Sequence, residues 1–335
     1  MTPAAHQEDD TDPAAPEPAA TPARQAWTWL RRIAPWALSL LVLGLLARQM
    51  QTIEWPEVWQ ALREQPRSGL VLASALALVS YALIATYDLV GRHVTGHRVS
   101  VPRTLGIAAT CYAFNVNFGA LVGALAMRLR LYERAGLKVG ITVRVIGLSV
   151  ITNWLGYLVV GGAVLALSPP PLPAQLSIGE TGLRALGALM VVAGAAYVLL
   201  CATGPQGGRI MCWRKHRLQL PDGRVALVQL ALSASNWALM ATIVWVLLAQ
   251  RVDYPIVLGV LLLASMAGVL THVPAGLGVI EAVFIACLGS QLSQGTLLAA
   301  LLAYRATYYL MPLALALVAY VLDQGRTAAP ARLGT

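Results

Sequence analysis

Charge is what this sequence has least of. Asp, Glu, Lys and Arg make up 12% of its 335 residues, against 58% hydrophobic ones, and the mean hydropathy is +0.66. A soluble chain long enough for two domains would carry about a quarter of its residues as charges, so composition leaves a polytopic membrane protein. Cysteine is nearly as scarce. Cys111, Cys201, Cys212 and Cys287 show no CxxC spacing and lie mostly inside apolar runs, so free thiols are expected in place of disulfides or zinc ligands. Catalytic signatures are missing as well: there is no HExxH, no GxSxG, no phosphate-cradling glycine loop, and no acidic pair at helical spacing inside an apolar run. An enzyme is therefore not expected, and neither catalytic residues, a metal nor a cofactor is assigned. The net charge of +9 could suit nucleic acid, but the basic residues sit in short clusters between apolar runs, which is how membrane topology is written. No nucleic-acid partner is expected.

Residues 1–23 are acidic, proline-rich and without Lys or Arg, a composition that predicts a disordered tail. A membrane domain over 24–325 and a second short tail over 326–335 follow. Uncharged runs predict about six full spans, at 33–47, 69–87, 145–167, 185–202, 225–249 and 297–322, the first being short for a crossing of about 20 residues. Between the first two spans, Trp55, Val58, Trp59 and Leu62 recur at helical spacing opposite Glu57, Gln60, Arg63 and Glu64. That pattern suits an amphipathic helix lying on the outer face, and equally a helix packed across the end of the bundle. Basic clusters at Arg92–Arg103, Arg128–Arg144 and Arg209–Arg224 mark the cytoplasmic side, which places both termini in the cytoplasm.

Two stretches resist reading as straight crossings. Residues 104–127 are uncharged but flanked by basic clusters at both ends. Bending at Asn115, Asn117, Gly119 and Gly123 keeps both clusters inside, so a re-entrant hairpin is expected there. Residues 256–288 carry Pro274, Gly276 and Gly278 at their centre, where proline removes a donor and glycine weakens a helix by about 1 kcal/mol, so a second hairpin, entering from outside, is expected. Past that break lies Glu281, and the next charge along the chain is Arg305, each set in an apolar run. Isolated charges at membrane depth need partners, so these two are read as a pair lining a polar cavity. Span, hairpin and span over 69–167 are then answered by span, hairpin and span of opposite sense over 225–322, an inverted repeat.

The stretches GALAMRLRLYERAGL (123–137) and THVPAGLGVIEAVF (271–284), with Tyr304 and Arg305 in the last span, resemble the lysylphosphatidylglycerol synthase transmembrane-region family, also called the flippase-like domain family. The resemblance covers residues 30–322. It implies a multi-span bacterial inner-membrane protein. In bifunctional members a comparable region is held to flip aminoacylated phosphatidylglycerol made by a C-terminal cytosolic domain. Few residues follow Leu322, so a stand-alone member without the synthase domain is expected, the translocating half without the chemistry. The chain departs from the family pattern at Ala275, which stands in place of a glycine, and at Asn117 or Phe118, where a proline is frequent.

The expected function is movement of a phospholipid or lipid-linked anionic molecule between leaflets. The alternative is a non-transporting membrane subunit that binds lipid or positions an envelope-assembly enzyme. Glu281 and Arg305 are the sharpest candidates for contact with the headgroup, since a guanidinium fork matches phosphate; a pair that only pins the hairpin is equally consistent with the sequence. His272, Asn115, Asn117 and Arg128 complete the headgroup candidates, with core hydrogen bonding, hairpin capping and the positive-inside bias as their respective structural explanations. Pro274, Gly276, Gly278, Gly119 and Gly123 are the hinge candidates. The expected partners are membrane phospholipid and either a second copy of the chain or a separate lipid-modifying enzyme.

Overall fold

A computed structural model of the chain describes residues 55–119, 125–171, 179–203, 209–213 and 216–328. The first expected span at 33–47, the tail at 1–23, Gly123 and residues 329–335 of the second tail lie outside those residues. Helix α1 (Trp55–Arg63) packs across the start of a late helix, with Val58 buried and the Glu57 side chain against Gly295, so the amphipathic segment closes one end of the bundle. Gln65 then ties the corner after α1 to the end of another span, donating to the Leu247 carbonyl at 3.0 Å.

Helices α2 (Arg67–Ala85) and α3 (Tyr87–Thr95) form one long candidate span, interrupted at Thr86. The Thr86 hydroxyl donates to the Leu83 carbonyl at 2.6 Å, the back-bonding that bends helices at Thr. Helix α4 (Val101–Phe118) ends at Gly119, whose φ of 88° is open to glycine and strained for other residues. Of the residues expected at this bend, Asn115 and Asn117 lie in regular helix, because neither removes a backbone hydrogen bond, while Gly119 ends it. Helix α5 (Arg128–Arg134) packs against α4, and Arg103 Nη2 reaches the Arg134 carbonyl at 3.3 Å, so the start of α4 meets the end of α5.

Helices α6 (Val139–Leu167) and α7 (Glu180–Ala202) are antiparallel neighbours. A Cβ on Gly162 would meet the Gly187 carbonyl at 2.7 Å, and one on Gly187 would meet the Gly162 carbonyl at 2.5 Å. Small residues there let two backbones touch, the usual means of helix association where no hydrophobic drive exists between helices. The basic loop that follows holds a two-stranded antiparallel ribbon, β1 (Arg209–Trp213) with β2 (His216–Leu220), an addition to the all-helical expectation outside the spans. Helix α8 (Gly223–Leu247) is capped by Asp222, which accepts from the Val225 amide at 2.8 Å.

Helix α9 (Tyr254–Thr271) gives way to a short turn at Pro274–Gly276 and then to α10 (Val279–Leu288), which folds back on α9. Helix α11 (Gln294–Tyr304) continues through a π-helical stretch, Arg305–Leu310, into α12 (Met311–Ala328). Among the described residues six helices are long and apolar enough to cross a membrane: 67–95, 139–167, 180–202, 223–247, 254–271 and 294–322. Five coincide with expected spans, and the remaining one is α9, in the stretch 256–288 where a hairpin, not a span, was expected. The order of elements repeats, since a long helix, a broken antiparallel pair and a long helix occur twice.

Candidate functional site

The break between α9 and α10 is built from backbone that a helix cannot use. His272, Ala275, Gly276 and Gly278 have φ of 55°, 56°, 56° and 75°, so left-handed residues crowd into one short turn. Gly278 caps α10, which places Glu281 in that helix's first turn, where the helix dipole favours a carboxylate. Arg305 reaches in from the start of the π-helical stretch. Its Nε and Nη2 donate to Glu281 Oε1 and Oε2 at 2.5 and 3.0 Å, Nη1 donates to the Ala275 carbonyl at 3.1 Å, and Nη2 also donates to the Gly276 carbonyl at 3.1 Å. The two side chains are only 12% and 14% exposed. A guanidinium has five N–H donors, so this one is nearly saturated. Its plane also lies 5.3 Å from the Tyr309 ring centroid.

The π-helical stretch turns carbonyls aside from the helix, and other elements capture them. Tyr81 on α2 donates to the Tyr308 carbonyl at 3.1 Å, and Asn117 on α4 donates to the Tyr309 carbonyl at 3.2 Å as well as to Ala113. Around them Ser80 bonds Asn236 at 2.7 Å and Tyr308 at 3.1 Å, and the Tyr112 and Tyr308 hydroxyls lie 3.2 Å apart. Helix α4 also contacts the Pro274–Gly276 turn. Thus the two chain breaks and the last long helix share one polar locus.

The other expected site residues are dispersed. His272 is exposed at the bend, with Nδ1 3.0 Å from the Leu270 carbonyl, and it does not touch the Arg305 pair. Asn115 is half-buried on α4 and makes no side-chain hydrogen bond among the described residues. Arg128 belongs to a different cluster, centred on an acid that sequence reading passed over. Asp88, fully buried, accepts from the Tyr132 hydroxyl at 2.7 Å and the Ser149 hydroxyl at 2.6 Å, and Arg128 Nη2 lies 3.3 Å from its Oδ1. A signal was there to find: Asp88 is the sole acidic residue between Glu64 and Glu133.

His97 adjoins this cluster, its ring 6.0 Å from that of Tyr132. It is buried, and neither ring nitrogen has a hydrogen-bond partner among the described residues. Burial first, then the nearby Arg92 charge, holds its imidazole below the usual histidine range, with Asp88 opposing.

Comparison with known proteins places the chain in a family. The family model described as the lysylphosphatidylglycerol synthase TM region matches residues 32–316. The chain is 41% identical over 297 residues to "Inner membrane protein YbhN" of Escherichia coli (strain K12), covering 88% of this chain and 93% of that protein. It is 30% identical over 311 residues to "Uncharacterized protein slr0712" of Synechocystis sp., covering 90% of this chain and 96% of the relative.

Proposed function

Because the chain belongs to the lysylphosphatidylglycerol synthase transmembrane-region family, we propose that it moves a phospholipid or lipid-linked anionic molecule between the leaflets of a bacterial inner membrane. The two interrupted hairpins, α4–α5 and α9–α10, dip into the bilayer from opposite faces, and the repeat they belong to is inverted. The headgroup passes between them while the tails stay in hydrocarbon.

The observation that carries this proposal is the contact of α4 with the Pro274–Gly276 turn beside a bidentate Arg305–Glu281 pair. Non-helical backbone and paired charges are tolerated at membrane depth only when protein covers them or water lines them, so their concentration at one locus supports a polar route. Asn115, Asn117 and His272 lie on the two breaks and stand along that route.

The near-saturation of Arg305 favours a second reading for the same fold, a lipid-binding membrane subunit that positions a separate enzyme without transporting anything. One assay separates the two. Proteoliposomes carrying a fluorescent phospholipid in both leaflets are treated with a membrane-impermeant quencher. Protein-dependent loss of the inner-leaflet signal supports translocation. A signal that stays at half, in vesicles where the folded protein is present, sinks it.

A further inference from the structure

We infer that Arg128, and not Arg305, receives the phosphate group of a lipid headgroup, in a buried site flanked by His97 and Thr104 and organised by Asp88. The inference rests on the lipid-handling proposal above and assigns its anion-binding group. It comes from comparing what the two buried arginines have left to give. Arg305 commits four of its five donors, two to a carboxylate and two to carbonyls. Arg128 makes one ionic contact, at 3.3 Å, and its Nε is buried without a hydrogen-bond partner among the described residues. Asp88 does not need Arg128 to be satisfied, since two hydroxyls already donate to it at 2.6 and 2.7 Å. The acid holds the arginine by charge and leaves its fork open.

Two further unpartnered groups belong to the same corner of the fold. Both nitrogens of His97 and the Thr104 hydroxyl are buried without partners, and these side chains belong to residues no more than 7% exposed. His97 abuts Tyr132, which donates to Asp88. Thr104 lies one helical turn before Ile107, which packs with Cys111, Leu131 and Tyr132 in one apolar cluster. Buried polar groups are nearly always paired, so orphans on Arg128, on His97, which reaches Asp88 through Tyr132, and on Thr104 of the neighbouring helix mark a place where oxygen atoms belong. Donors from Arg128, Thr104 and His97 match the acceptor-only oxygens of a phosphate.

The charge count agrees. Asp88, Arg92 and Arg128, with a neutral His97, leave a surplus of one positive charge, which one phosphodiester would neutralise. Tyr132 and Cys111 share the adjoining apolar cluster, and both are neutral near pH 7.

The test uses the full-length protein in detergent micelles, titrated with phosphatidylglycerol, with a diacylglycerol of the same tails, and with inorganic phosphate. Binding is read by native mass spectrometry and thermal shift. Phosphatidylglycerol is expected to bind in preference to diacylglycerol. Arg128→Lys, which keeps the charge and loses the fork, should weaken that binding roughly tenfold, and Arg305→Lys should change it less than about twofold. His97→Gln and Thr104→Val remove polar groups that have no hydrogen-bond partner among the described residues, so they should fold and still weaken binding.

Unchanged phosphatidylglycerol affinity in His97→Gln, Thr104→Val and Arg128→Lys overturns the site. Inorganic phosphate that saturates the site as tightly as the lipid overturns its lipid assignment. Binding is measured without transport, so loss of this site and loss of the translocation proposal are separate results.

Discussion

Arg305 grips both carboxylate oxygens of Glu281, 24 residues away in sequence, and spends two further hydrogen bonds on the carbonyls of Ala275 and Gly276. One side chain thereby joins the last long helix to the start of α10 and to the turn before it. The guanidinium substitutes for the helical amides that the break took away.

Losing either member of this pair should be far costlier than losing both. Glu281→Ala or Arg305→Ala leaves an uncompensated buried charge, which typically costs about 3–5 kcal/mol. The double variant Glu281→Ala/Arg305→Met removes both charges and should recover a large part of that loss. Unfolding in mixed micelles, run as a double-mutant cycle, reads the coupling directly. Additive losses would show the pair to be incidental.

The turn itself carries strain that one substitution can relieve. Ala275 holds φ at 56°, in a region that costs a residue with a Cβ about 1–2 kcal/mol. Ala275→Gly should raise the melting temperature despite the added freedom of the unfolded chain. Gly278→Ala, at φ 75°, should lower it by a similar amount. Differential scanning fluorimetry on the two variants decides the matter, and the same sign for both would count against it.

Acidification should act through His97. Its folded imidazole binds protons more weakly than the unfolded one, because burial and Arg92 disfavour the cation. Stability is therefore complete above the ordinary histidine range near pH 6.5 and falls as pH drops below it. Melting temperatures taken between pH 8 and pH 5 should fall more steeply for the native chain than for His97→Gln. Parallel curves would remove His97 as the cause.

The hydroxyls that hold Asp88 should each matter. Tyr132→Phe and Ser149→Ala delete one hydrogen bond apiece to a buried carboxylate, and such bonds contribute about 1.5–3 kcal/mol. Chemical denaturation compares them with a lipid-facing control such as Leu189→Ala, which is exposed and should change little. Losses no greater than the control's would mean that these hydroxyls do not hold Asp88.

Much of this architecture could be read along the chain. Apolar runs marked the spans at 69–87, 145–167, 185–202, 225–249 and 297–322, each within a few residues of a helix, because hydropathy is a local property and a span needs little else. Pro274, Gly276 and Gly278 announced the second break for the same reason. Of the four residues at which the first bend was expected, Gly119 ends the helix, Asn115 and Asn117 lie within it, and Gly123 is outside the described residues. Asparagine tolerates a helix interior, and only the conformation at Gly119 ends α4.

The partnerships of buried polar groups were less legible. Glu281 and Arg305 could be matched because each stood alone in its apolar run. Asp88 could not, since Arg92, Arg98 and Arg103 all lie nearer in sequence than the Arg128, Tyr132 and Ser149 it meets. The network of Ser80, Tyr112, Asn236 and Tyr308 left no trace in spacing, because neutral hydroxyls and amides scattered through spans look like ordinary helix filler.

Sequence alone determined that this is a helical membrane protein with two interrupted segments, since a hydrocarbon solvent dictates helix length and penalises breaks residue by residue. Tertiary structure decided which buried acid faces which buried base, and that one arginine is saturated while the other keeps free donors. Those outcomes depend on how helices distant in sequence pack together, and at membrane depth no water stands ready to satisfy a group that packing leaves unpaired.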